Sequence, residues 1–159
     1  MISGPPILVT VMPLSGSLTT VTASALSGGS PAIGGVPTTF TGVMQALPTA
    51  VTFSSISATF VNGTSFAAPS STVTLTAQLY KVPKGTITAS GVVGFSCFLS
   101  PNLGSGTVAV STVTSCVASG LTGVFAAGDA GFVVVYATVT AGIGVALTIN
   151  GSVSVGIGQ

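Results

Sequence analysis

Ala130 to Gly158 reads AGFVVVYATVTAGIGVALTINGSVSVGIG, and this stretch decides what kind of fold the chain can have. Its odd positions run Val133, Val135, Ala137, Val139, Ala141, Ile143, Val145, Leu147 and Ile149, all apolar. Its even positions change partway, from Phe132, Val134 and Tyr136 to Thr138, Thr140, Gly142, Gly144, Ala146 and Thr148. A period of two sends successive side chains to opposite faces, which is the signature of a strand rather than a helix. The β-branched content agrees. Gly142 and Gly144 are expected to divide the stretch into two strands. Asn150-Gly151 predicts a tight hairpin turn, because both central residues of such a turn need positive φ. Val153, Val155 and Ile157 then carry a final strand. One face of this sheet is continuously apolar and must be covered by something.

Composition narrows the function classes. The chain has 159 residues, of which 47% are hydrophobic and 2% charged, against a usual charged share of about 25%. The ionic groups are Lys81, Lys84 and Asp129; there is no Arg, Glu or His. Two lysines close in sequence cannot neutralise a run of phosphates, so no nucleic-acid partner is expected. Asp129 has no carboxylate or imidazole to work with, so no acid–base enzyme is expected. Cys97, Cys116 and Asp129 are too few for a tetrahedral metal site, and no GxxxxGK[ST] loop is present, so neither a metal nor a cofactor is expected.

The mean hydropathy of +0.94 raises the question of a membrane span. Ala130 to Ile149 has the length of a spanning helix. It is nonetheless rich in Thr and Gly, lacks a flanking Lys or Arg cluster, and has a period of two, so no membrane span is expected. Met1-Ile2-Ser3 opens without a basic segment or a long apolar core and does not read as a secretion signal.

From the N-terminus, Gly4-Pro5-Pro6 is one triplet of collagen type. Ile7 to Val11 reads as a short strand stopped by Pro13. Leu14 to Pro37 reads as loop with one short strand, and Thr38 to Leu47 as room for another. Val51 to Val61 alternates with a phase slip at Ser54-Ser55, which predicts a β-bulge or two strands meeting. Asn62-Gly63 closes it, and Thr64 to Ser71 reads as a loop around Pro69. Thr72 to Tyr80 alternates most cleanly, with Val73, Leu75, Ala77 and Leu79 facing in. Tyr80 to Gly85 is a turn holding both lysines. Gly91 to Leu99 places Val93, Phe95, Cys97 and Leu99 on one face. Pro101 to Gly106 turns, and Thr107 to Val117 reads as one long strand. Ala127-Gly128-Asp129 turns again. Seven to ten strands with Gly- and Pro-rich turns and no helical period point to an all-β sandwich or barrel.

The segments LPTAVTFSSISATFV (Leu47–Val61), VTLTAQLY (Val73–Tyr80) and GFVVVYATVTAGIGVALTINGSVSVGI (Gly131–Ile157) resemble the C-terminal domain of BclB-type collagen-like exosporium glycoproteins of the spore surface. VMPLSGSLTTV (Val11–Val21) is similar to the opening of the same domain. The resemblance runs in order over most of Met12 to Ile157 and carries no catalytic motif. It implies an antiparallel jelly-roll β-sandwich like the tumour necrosis factor and complement heads. It implies a non-enzymatic head that forms a homotrimer, aligns a collagen-like stalk and makes the exposed tip of an extracellular filament. Residues 1–8 would then be the end of a stalk or linker, and residues 9–159 a single head. Its partners would be two further copies, other exosporium proteins or a host-surface ligand. An adhesin or receptor-type head that recognises such a ligand is the alternative. A cysteine pair is not a feature on which that family relies, so Cys97 and Cys116 stand apart from the pattern.

Several residues carry two readings each. Cys97 and Cys116 form a disulfide, as two cysteines of an extracellular protein often do, or remain buried free thiols. Asp129 contributes oxygen to a cation on a threefold axis, or is a solvated turn residue. Lys81 and Lys84 meet an anionic partner, or are solvated loop charges. Asn62-Gly63-Thr64 and Asn150-Gly151-Ser152 match the glycosylation sequon, yet both Asn-Gly pairs also suit tight turns. Tyr80 and Tyr136 are read as core or interface aromatics.

Overall fold

The computed structural model describes residues 10–14, 16–24, 44–141 and 148–159. Among them the chain forms strands and no helix. In order these are β1 (Thr10–Met12), β2 (Gly16–Ser24), β3 (Gln45–Ala46), β4 (Val51–Asn62), β5 (Phe66–Val82), β6 (Ser90–Phe98), β7 (Leu103–Val108), β8 (Val113–Phe125), β9 (Ala130–Ala141) and β10 (Thr148–Gly158). They make two antiparallel sheets. One has the order β1–β9–β5–β6, with β3 also on β9 and β7 also on β5; the other has the order β2–β10–β4–β8.

The chain is an all-β sandwich. The apolar face of β9 is covered by the strand that follows it in sequence. Val133, Val135 and Ala137 of β9 share one buried cluster with Ile149, Val153 and Val155 of β10, which lies in the other sheet. Val73, Leu75, Ala77 and Leu79 of β5 join from the first sheet, and Ile56, Ala58 and Phe60 of β4 from the second. Each is an alternating set that the pleat directs to one side. The other face of β9 is apolar too. Phe132, Val134 and Tyr136 form a second buried cluster with Tyr80, Val82 and Ala89, against which Met44 and Ala130 pack. Tyr80 and Phe132 stack there with ring centroids 5.6 Å apart.

The expected hairpin at Asn150-Gly151 is absent, since both residues lie inside β10. Gly151 pairs with Asn62 of β4 and Val21 of β2. Glycine is required here for space: an added Cβ would meet the Val61 carbonyl and lie 2.5 Å from the Phe60 ring. Gly142 and Gly144 lie outside the described residues, as do residues 1–8 and most of the segment between Leu14 and Val43.

The slip at Ser54-Ser55 is a bulge. The β4–β8 register shifts between Phe53 and Ser55, so Phe53 and Ile56 are both buried. Two other boundaries and the facing of one side chain differ from expectation. β5 begins at Phe66 rather than Thr72, and Pro69 sits where its pairing with β7 shifts, a position that tolerates a residue without an N–H. The long strand expected over Thr107–Val117 is two, β7 and β8, separated by a turn in which Ser111 has φ 66°. Val93 is 94% exposed rather than inward, because β6 bulges between Gly91 and Ser96.

Candidate interaction surface

The three ionic side chains converge on one corner, where the turn after β5 meets the turn between β8 and β9. Asp129 is buried, not solvated as its turn position suggests. Its Oδ1 accepts from the Lys84 backbone N–H at 2.9 Å and its Oδ2 from the Ala126 N–H at 2.8 Å. The Lys81 ammonium lies 3.0 Å from Oδ2, donates to the Val124 carbonyl at 3.0 Å, and stands 5.3 Å from the centre of the Phe125 ring. Donors aimed at a carboxylate favour its charged form. The Lys84 and Ala126 amides, then Lys81, hold Asp129 down at about 2. Lys81 is therefore an ion-pair partner rather than a free loop charge, while the Lys84 side chain is exposed. Among the described residues no group of three His, Cys, Asp or Glu side chains comes together.

Cys97 and Cys116 are joined as a disulfide between β6 and β8, with Cα atoms 5.9 Å apart. Asn62 is buried; its Nδ2 donates to the Ala109 carbonyl at 2.9 Å, so it has no room for a glycan in the folded chain. Asn150 is half-buried within β10. Tyr80 and Tyr136 are core residues.

The surface with interaction character is the outer face of the β2–β10–β4–β8 sheet. Register sets its rows: Gly158, Ser55 and Ser119; Gly156, Ser57 and Val117; Ser154, Thr59 and Ser115; Ser152, Val61 and Val113. All twelve are half-buried or exposed, and none is charged. Val113 is 51% exposed and Val117 80%. A Cβ on Gly158 would collide with Ser55 Oγ, and one on Gly156 would come within 3.2 Å of Ser57 Oγ. The two glycines thus leave room for the neighbouring serines. They also help line an open trough of about 300 Å³, with Ser55, Ser57, Val117 and Ile157. No family model, curated protein or solved structure matches the chain.

This face was not picked out from the sequence, although half of its signal is there. Ser152, Ser154, Gly156 and Gly158 alternate with Val153, Val155 and Ile157, so one side of β10 had to be small and polar. What no local pattern states is that β10 lies beside β4, and β4 beside β8. No helix among the described residues is long and apolar enough to cross a membrane.

Proposed function

We propose that this chain is a non-enzymatic structural head domain of a collagen-like, extracellular spore-surface protein. It forms a homotrimer, aligns the stalk and makes the exposed tip. The observation that carries the proposal is the outer face of the β2–β10–β4–β8 sheet. It is wide, uncharged and built from Ser, Thr, Gly and Val, with valines exposed at the β8 edge. Identical copies meeting on it face no like-charge repulsion, and a chain with so few charges has little else to keep copies apart. In a closed trimer each copy presents one part of this face to one neighbour and a different part to the other. The number three comes from the resemblance to BclB-type heads and suits a triple-helical stalk, for which Gly4-Pro5-Pro6 supplies one triplet. The strand orders β2–β10–β4–β8 and β3–β9–β5–β6 support a jelly roll, in which the chain passes back and forth between two sheets except at one hairpin, here β5–β6. Catalysis is not part of the proposal, because the single carboxylate is committed to Lys81 and two backbone amides.

A second reading is an adhesin-type head that takes a neutral ligand in the hydroxyl-lined trough beside Val117. Light scattering on the eluting protein tests the first reading. A trimer at micromolar concentration supports it, and a stable monomer overturns it. A trimer that also binds an uncharged glycan on an array would favour the second.

A further inference from the structure

The chain has two cysteines, and their bond is its one side-chain cross-link between the sheets. It lies where β6, the last strand of one sheet, meets β8, the last strand of the other. Ser100 and Ser115 begin a ladder there, exchanging backbone hydrogen bonds of 2.9 and 3.0 Å. The ladder does not continue among the described residues. Its register would set Leu99 opposite Cys116 and Phe98 opposite Val117, but both strands are bulged beyond this point. β6 shifts register between Gly91 and Ser96, with Gly94 at φ 74°. β8 shifts between Ser119 and Gly123, with Gly120 at φ 72°. A bulge bends a strand and interrupts pairing, which is also how edges are kept from joining other edges.

We propose that the Cys97–Cys116 disulfide is a redox-operated clasp on this edge. Oxidised, it holds β6 and β8 together. Reduced, it lets this seam open while both sheets keep their other pairings. The inference does not rest on the trimer reading. Cys116 is half-buried and Cys97 is 5% exposed, so an external thiolate reaches Cys116 Sγ first. Attack there forms a mixed disulfide and breaks the Sγ–Sγ bond. The electron pair leaves on Cys97 Sγ, which takes a proton from water. The second thiol of a dithiol reductant then frees Cys116 and closes the reductant's own disulfide, a two-electron oxidation of the reductant. What the open seam uncovers is apolar: Phe95 and Leu99 lie under it at 0% and 1% exposure, and Phe98 and Val117 flank it.

Hydrogen exchange on the intact chain, with and without dithiothreitol, tests the clasp, with alkylation and mass measurement to count free thiols. The amides of Ser100 and Ser115, which bond to each other's carbonyls across the seam, are expected to exchange about ten-fold faster or more once both thiols are free, while the β6 amides paired with β5, the β8 amides paired with β4, and β9 and β10 keep their protection. The Cys97→Ser, Cys116→Ser double variant is expected to show the same pattern without reductant. Unchanged exchange in the fully reduced protein would overturn the proposal. So would loss of protection spread evenly over all strands, or a disulfide that the reductant cannot reach in the folded chain.

Discussion

Asp129 joins three segments of backbone at once. Its carboxylate takes the Lys84 and Ala126 amides and the Lys81 ammonium, and its own carbonyl accepts from Leu47 N–H at 2.9 Å. Because its folded value is depressed to about 2 from a usual 3.8, the unfolded chain binds its proton first on acidification. The stability it contributes is therefore present above the unfolded value and lost as pH falls towards the folded one. Melting temperature is expected to be flat in this respect above about pH 4 and to drop between about pH 4 and 2. Asp129→Asn should melt lower at neutral pH and lose that acid-side slope, which thermal melts across pH would read. Gly151 makes a different kind of demand. An alanine there must displace the Phe60 ring or the Val61 carbonyl, so Gly151→Ala is expected to cost about 1–3 kcal/mol in urea unfolding.

At the scale of strands, the sequence is most legible where a strand is straight and flanked on both sides. β5 between Thr72 and Tyr80, β9 from Phe132 to Ala137, and β10 from Val153 onward all follow their alternation. Phe95 belongs to the same buried set, and Phe95→Ala should destabilise by about 3–5 kcal/mol in a denaturant titration, since its site is fully closed. Legibility fails at bulges and turns. Val93 shares parity with Phe95, yet the intervening bulge turns it out to solvent. Thr107–Val117 reads as one long strand because nothing in its alternation marks the four-residue turn, 109–112, that divides β7 from β8. Asn150-Gly151 fits hairpin chemistry, but its glycine answers a neighbouring ring rather than a turn. The candidate surface was half readable for a related reason. Alternation is encoded within each strand, whereas the Gly156–Ser57–Val117 row needs three segments distant in sequence to meet.

For the whole molecule, the uncharged outer face of the β2–β10–β4–β8 sheet is the feature on which assembly turns. Val117→Lys places a strongly hydrated charge beside Ser57 and Gly156 on that face. Val117 is 80% exposed, so the fold should survive while the copies separate. Unchanged β-sheet circular dichroism with monomeric scattering mass is the expected outcome. A larger consequence follows from how β9 and β10 divide between the sheets. Each is paired on both sides: β9 with β1, β3 and β5, β10 with β2 and β4. β9 and β10 thus complete both walls, and nothing translated earlier can close the core. Nascent chains arrested before Ala130 are expected to be digested rapidly by protease, and those extended past Gly158 to resist, so the ribosome must finish this region before a folded head exists.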